Sequence, residues 1–141
     1  MKKTLLLISF IAILAGFSGC TKEYYYTDDV VRVTVYHNEW RLVSNADEEY
    51  YFCEKHLNGL NPSIIKNARI TADLQIGSDS YPTLYNLPYS RSYDDGETFY
   101  TKTISFEVIS PDKVAFRVEH SDLYFAEKPE TMYFRVYIPV F

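Results

Sequence analysis

The chain has 141 residues, 17% of them aromatic and 23% charged, and its formal net charge is −5. This acidic balance argues against nucleic-acid binding, which depends on positive charge, and the length corresponds to one domain with a single core. Fourteen tyrosines, together with Val, Ile and Phe at alternating positions, favour strands over helices.

The first predicted element is a secretory signal peptide that covers residues 1–19. Lys2 and Lys3 precede an apolar run at 5–17, in which Ser9 is the one polar side chain. As a helix this run would be about 20 Å long, too short for the ~30 Å hydrocarbon core of a membrane. The segment therefore predicts export and not a permanent membrane span.

Cys20 follows this apolar segment directly. Ser18 and Gly19 stand before it, and the arrangement resembles the bacterial lipobox, in which a peptidase cleaves before a cysteine that carries diacylglycerol. Phe17 departs from that pattern, because an aliphatic residue is usual at its position. The resemblance implies a mature chain anchored to the membrane through lipidated Cys20, with several acyl chains for stable attachment. The alternative is ordinary secretory cleavage after Ser18 or Gly19, which leaves Cys20 as a plain thiol.

Residues 20–29 are predicted to form a tether between the lipid and the domain. Lys22 and Glu23, followed by Asp28 and Asp29, resemble the acidic, lysine-containing tethers of Bacteroidetes-type surface lipoproteins. The resemblance implies a lipid anchor in the outer membrane and favours the cell surface over the periplasmic face.

The mature domain is predicted to run from residue 30 to residue 141, beginning with a strand of alternating valines at 31–35. Residues 87–92 are predicted to be a loop and 121–131 a connection. About seven strands predict an all-β domain, an antiparallel β-sandwich that is Ig-like in outline, with a small barrel as the alternative. The further predicted strands lie where apolar and polar residues alternate between turn residues, at 49–57, 70–76, 81–85, 101–109, 113–120 and 132–140.

The clearest predicted hairpin joins 101–109 to 113–120 through a Ser-Pro-Asp turn. Its apolar residues alternate on both strands, so one face is expected to enter the core. In this pairing Ile104, Phe106 and Val108 are predicted to face Val114, Phe116 and Val118.

Cys53 is the one cysteine left once Cys20 is lipidated, so no intrachain disulfide is predicted. Its neighbours Tyr51 and Phe52 predict a buried thiol that acts as a small hydrophobic side chain. A nucleophilic thiol would need a nearby histidine, and the spacing from Cys53 to His56 suits a helix better than a strand. Loss of Lys2 and Lys3 with the signal peptide would bring the formal charge to −7.

Several short segments of the mature domain resemble a group of small Bacteroidetes lipoproteins. The resemblance implies an envelope β domain and carries over no activity and no functional residue. The segments are Val33-Thr34-Val35 followed by Trp40, Leu87-Pro88-Tyr89, Ile104-Ser105-Phe106 with Pro111 to Val114, and Phe134 to Pro139.

Four tyrosines spaced by four residues are the candidate ligand-binding residues, together with one arginine. Tyrosine offers apolar area and a hydroxyl at low entropic cost, and its ring stacks on sugar rings. The expected partner is a glycan, a host protein or another envelope protein, and the alternative is that these tyrosines pack the sandwich. The candidates are Tyr81, Tyr85, Tyr89, Tyr93 and Arg91.

No catalytic motif, metal-ligand spacing or cofactor fingerprint is present in the sequence. The prediction is therefore a membrane-anchored envelope lipoprotein, not an enzyme, whose β-sandwich is a binding or structural module without metal or cofactor. The alternative is a small glycosidase-like hydrolase that uses a pair of loop carboxylates. The acidic clusters available for such a pair are Asp28-Asp29, Asp47-Glu48-Glu49, Asp94-Asp95 and Glu127 with Glu130.

Overall fold

The computed structural model describes residues 27–94, 96–121 and 127–140. The predicted signal peptide, Cys20 and most of the predicted tether lie outside these residues. Within the described ranges, no helix has both the length and the apolar character needed to cross a membrane.

Nine strands build the described part of the chain. A 3-10 turn covers His37–Glu39, and one α-helix, α1, covers Pro62–Asn67. The strands are β1 Thr27–Val35, β2 Arg41–Ser44, β3 Glu49–His56, β4 Thr71–Ile76, β5 Thr83–Asn86, β6 Tyr89–Asp94, β7 Phe99–Ile109, β8 Lys113–His120 and β9 Met132–Val140.

The strands form two antiparallel sheets that pack face to face. Sheet I has the order β1-β9-β4-β5, and sheet II has the order β2-β3-β8-β7-β6. The predicted all-β sandwich is thus confirmed. The two strands beyond the seven predicted from the sequence are β2 and β6, the outermost strands of sheet II.

The core fills the space between the sheets. At its centre Phe116 of sheet II stacks on Phe134 of sheet I with ring centroids 4.0 Å apart, and both side chains are at most 1% exposed. The predicted β7–β8 register is confirmed. It pairs Ile104 with Val118, Phe106 with Phe116 and Val108 with Val114.

The domain begins earlier than the predicted boundary at residue 30. Strand β1 starts at Thr27, and Asp28 and Asp29 pair with Pro139 and Ile138 of β9. These two aspartates therefore belong to sheet I and not to the tether. The reason is that β9 continues to Val140 and offers backbone partners to the residues before Val30.

The prediction of a loop through residue 92 is wrong, because Tyr89–Asp94 is strand β6. Serine and arginine gave this segment a loop-like composition. Its partner β7 starts at Phe99, ahead of the predicted start, and its backbone groups pair with all of β6. Hydroxyl pairs reinforce the contact, with Ser90 Oγ 2.9 Å from Thr103 Oγ1.

Helix α1 joins β3 to β4 at the end of the sandwich where β1 begins. Asn61 Oδ1 accepts hydrogen bonds from the backbone N–H groups of Ser63 and Ile64, each at 3.0 Å, and Pro62 occupies the first helical position. The helix and Asp29 line the same surface groove. This end is opposite to the cleft described below.

Candidate functional site

A cleft of about 320 Å³ opens between the two sheets at one end of the sandwich. Strands β4 and β9 of sheet I line one wall, and β6 and β7 of sheet II line the other. The volume is within the range of about 300–1,000 Å³ that is typical of small-molecule sites.

Three cross-strand pairs form the wall on sheet II. Tyr89 lies opposite Ile104, Arg91 opposite Lys102, and Tyr93 opposite Tyr100. Because side chains two residues apart on a strand share a face, all three pairs lie on the inner face of the sheet. Ile104 is 4% exposed and belongs to the core. Lys102 lies two residues before it on the same face, at the boundary between the core and the cleft.

Aromatic rings flank the two cations. Tyr89 lies 4.7 Å from Tyr85 between ring centroids, and Tyr93 stacks on Tyr100 at 5.4 Å. The guanidinium carbon of Arg91 lies 5.4 Å from the ring centroid of Tyr93, within cation–π distance. The ring of Tyr93 thus lies beside Arg91, and the ring of Tyr89 is packed against Tyr85.

Neither cation in the cleft has a close carboxylate. Among the described residues, no carboxylate oxygen lies within 4.0 Å of Arg91 or Lys102. Lys102 is half-buried, and this burial lowers its pKa from the usual lysine value, while the charge of Glu130 acts in the opposite direction. The cleft thus holds a partly desolvated ammonium beside an exposed guanidinium.

Glu130 and Thr131 form one rim of the cleft, and the 3-10 turn and the adjacent Trp40 hold this rim in place. Trp40, 2% exposed, donates its indole N–H to the carbonyl oxygen of Glu130 at 3.1 Å. The backbone N–H of His37 donates to Thr131 Oγ1 at 3.2 Å, and His37 Nδ1 lies 2.8 Å from the carbonyl oxygen of Pro129. The segment that brings Glu130 and Thr131 to the cleft is therefore tied to the core.

The structure brings together three of the five predicted binding residues. Tyr89, Arg91 and Tyr93 line the cleft, and Tyr85 contacts the ring of Tyr89. Tyr81 lies in the turn between β4 and β5, is 87% exposed and is not part of the cleft lining. The spacing by four thus has a partial structural meaning, because strand residues four apart share a face.

Sequence reasoning missed Lys102. Its place in the cleft follows from its pairing with Arg91, and treating residues 87–92 as a loop hid that pairing. A usable signal was the alternation of hydroxyl residues, at Ser90 and Ser92 on one strand and at Thr101 and Thr103 on the next.

Three other surface grooves of the described residues are larger than the cleft, and the smallest of them, of about 350 Å³, is lined by Arg32 and Asp79. The other two differ from the cleft in charge. The groove of about 530 Å³ beside α1 has Asp29 as the one charged residue of its described lining. The groove of about 520 Å³ beside Cys53 has charged walls, but Lys113 Nζ lies 3.5 Å from Glu54 Oε2 there. The inter-sheet cleft differs from both because it contains two cations with no carboxylate within 4.0 Å among the residues that the structure describes.

The predicted burial of Cys53 is confirmed, since its side chain is 5% exposed. Burial raises the pKa of this thiol, which lowers its thiolate population. His56 is exposed, and its Nδ1 lies 3.3 Å from Asp112 Oδ1. Residues 53 and 56 lie on opposite faces of β3, so these two side chains do not form a thiol–imidazole pair.

The predicted acidic clusters lie mostly in turns. Asn45 Oδ1 accepts hydrogen bonds from the backbone N–H groups of Asp47 and Glu48, and Asp94 Oδ1 accepts one from Gly96, whereas Asp95 lies outside the described residues. Within the described cleft lining, Glu130 is the one carboxylate. No group of three or more His, Cys, Asp or Glu side chains in the described ranges is placed to hold a metal ion.

No protein-family model matches this chain, no curated protein shows significant similarity to it, and no solved structure matches it.

Proposed function

We propose that this chain is a lipid-anchored envelope lipoprotein whose β-sandwich is a binding module, with the inter-sheet cleft as its ligand site. The observation that carries the binding role is the pair of inward-facing cations, Arg91 and Lys102, set beside the rings of Tyr89 and Tyr93. A module with a purely structural role would gain stability from an apolar residue in place of half-buried Lys102, because partial burial of its charge costs free energy.

The anchor proposal depends on the lipobox resemblance around Cys20. In this proposal the mature protein attaches to the outer membrane and faces the cell exterior. Residues 21–26 separate Cys20 from β1, and six residues span at most about 20 Å. The domain would therefore stand close to the membrane.

The direction of β1 supports a role in binding ligands from outside. Thr27 pairs with Val140, whereas Val35, at the far end of β1, pairs with Met132, which lines the cleft. At about 3.3 Å per residue, this strand carries the chain roughly 25–30 Å away from its start. The cleft is thus at the end of the domain opposite to the anchored end, where a ligand approaches without contact with the membrane.

The anchor is tested by cell fractionation of a Cys20→Ser variant. We expect the variant to leave the detergent-requiring membrane fraction, because the acyl chains that hold the protein there cannot be attached. Cys53→Ser is the matched control and should remain in the membrane fraction. Retention of the Cys20→Ser protein in the membrane would contradict the proposal.

The binding role is tested with the full-length lipoprotein in detergent micelles on an array of glycans and envelope proteins. Tyr89→Ala should weaken capture of any bound ligand by about fivefold or more, the effect of losing roughly 1 kcal/mol of contact. Tyr81→Ala is the matched control, since Tyr81 is outside the cleft. Equal binding by wild type and Tyr89→Ala would contradict the cleft as the ligand site.

The proposed module is non-catalytic. Glycosidases place two carboxyl groups on either side of the bond they cleave, whereas Glu130 stands alone among the described residues of the cleft. The cations and aromatic rings beside it are groups that bind and orient a ligand.

A further inference from the structure

We infer that the cleft binds a carboxylate-bearing sugar, with the carboxylate between Arg91 and Lys102 and the sugar ring against Tyr89 and Tyr93. This inference rests on the proposed binding function and names the ligand class.

The two cations of the cleft lie directly opposite each other on neighbouring strands. Arg91 and Lys102 are direct cross-strand partners, and like charges in that arrangement repel each other. Arg91 is exposed, but Lys102 is half-buried, so the repulsion is screened less than between two fully exposed charges. An anion bound between them would remove this repulsion.

Three other cations of the same sheet are paired within the protein, whereas exposed Arg41 of β2, like Arg91, has no described carboxylate within 4.0 Å. Lys55 Nζ lies 2.6 Å from both carboxylate oxygens of Glu39, Lys113 is paired with Glu54, and Arg117 is paired with Glu119. Those three cations are neutralised by the protein itself. Among the described residues, Arg91 and Lys102 have no carboxylate within 4.0 Å, and a bound anion would supply a neutralising charge.

The described lining of the cleft carries more positive than negative charge. Arg91, Lys102 and Glu130 are the charged side chains in its described lining, which gives a local net charge of about +1. This balance complements a monoanion such as a carboxylate better than a dianion such as a phosphate monoester. A guanidinium also matches the planar carboxylate with two parallel hydrogen bonds, and the lysine adds a point charge.

The rest of the cleft lining combines aromatic rings with polar side chains. The rings of Tyr89 and Tyr93 supply apolar faces, and Gln75, Thr131 and Tyr133 supply amide and hydroxyl groups. A sugar ring presents the same combination, with C–H groups on its faces and hydroxyls at its edge. The formal net charge of −5 disfavours acidic ligands in general, so the attraction for an acidic sugar would have to come from the two cations of the cleft.

The test uses the full-length lipoprotein in detergent micelles and an array of uronate- and sialate-bearing oligosaccharides, each beside its carboxyl-reduced form. A peptide with a free C-terminal carboxylate is included. We expect an acidic oligosaccharide to bind at least about tenfold more tightly than its carboxyl-reduced form. Binding should also weaken as salt is raised, because the attraction is partly exposed to solvent.

Two variants connect that preference to the cleft. Arg91→Met and Lys102→Met each remove one charge and keep an apolar stem, and each should weaken acidic-sugar binding by about tenfold. The matched controls are Arg69→Met and Lys66→Met, exposed cations near α1 at the opposite end of the sandwich. They make the same change in net charge and should bind like wild type. Thermal melts establish that each variant is folded.

Each outcome separates this inference from the proposed function. Equal binding of the acidic and carboxyl-reduced sugars, with loss in Tyr89→Ala, would overturn the inference and leave the binding function standing. Capture of the peptide alone, with loss in Arg91→Met, would also overturn it, because the cleft would then recognise a peptide carboxylate. Binding of no glycan, protein or peptide would overturn both.

Discussion

The layer between the two sheets is filled at its centre and open at its cleft end, although the same strands line both regions. On β7, Ile104 is 4% exposed and packs in the core, while Lys102 on the same face lines the cleft. Across the layer, Phe134 is buried at the centre of β9, and Met132, two residues earlier, lines the cleft. On each of these strands, a step of two residues thus leads from a side chain packed in the core to one that lines the open cleft.

This difference separates side chains that stabilise the fold from side chains that are available to a ligand. Phe116 and Phe134 stack across the layer, and burial of this apolar area favours folding. Arg91 and Lys102 sit where further apolar residues would close the sandwich, and the charge of half-buried Lys102 costs free energy there. Substitutions at the centre should therefore lower stability, whereas substitutions in the cleft should weaken binding and leave stability nearly unchanged.

The largest expected effect is at the filled centre. Phe116→Ala should lower the free energy of unfolding by about 3–5 kcal/mol, because it removes a fully buried ring that stacks on Phe134. Chemical denaturation measures the change. Phe99→Ala on β7 is the control, since Phe99 is 71% exposed, and it should change the stability by less than about 0.5 kcal/mol. Equal losses in the two variants would contradict the position of the core.

A smaller effect is expected where the core holds the cleft rim. Trp40→Phe removes the indole N–H that donates to the carbonyl oxygen of Glu130 and should cost about 1 kcal/mol of stability. Exchange of the amide hydrogens of Glu130 and Thr131 should become faster, because this segment loses one of its ties to the core. Unchanged exchange there would show that the contacts of His37 hold the rim without Trp40.

The ion pair of Lys55 with Glu39 should make the stability of the protein depend on pH. Its hydrogen bonds lower the pKa of Glu39 below the ordinary 4.5, so the stabilisation is present above that value and is lost as the pH falls through the folded-state pKa. Glu39→Gln should cost about 0–1 kcal/mol at neutral pH, since the pair is partly exposed. The difference from wild type should shrink in acid, as measured by thermal melts between about pH 7 and pH 3. A difference that is constant with pH would contradict a role of the charge.

The smallest expected change in stability is at the open end. Lys102→Met should leave the melting temperature unchanged or raise it, because burial already disfavours the lysine charge. A matched thermal melt of Ile104→Ala should show a clear loss, by about 2–5 kcal/mol, since Ile104 is in the core. A loss in Lys102→Met as large as that in Ile104→Ala would mean that Lys102 is part of the packing and would remove the contrast between the two regions.

The sequence predicted the β7–β8 hairpin down to its register, because both strands alternate between core and solvent around a short turn. The same reasoning failed for β6. Ser90, Arg91 and Ser92 have low strand preference by themselves, and their conformation depends on the backbone groups that β7 presents. The spacing of Tyr81 suggested a surface shared with the other tyrosines, but its turn places it outside the cleft lining.

Composition and alternation thus determined the fold class, the buried centre and most strands of this protein, because these depend on local preference and on the period of apolar residues. The N-terminal apolar segment and Cys20 likewise predict the lipid anchor from the sequence alone. The cleft was decided by tertiary structure. Arg91 and Lys102 meet through the pairing of β6 with β7, and Glu130 joins them through the contact of its backbone with Trp40. Such a site depends on which strand ends come together, and no local pattern encodes that.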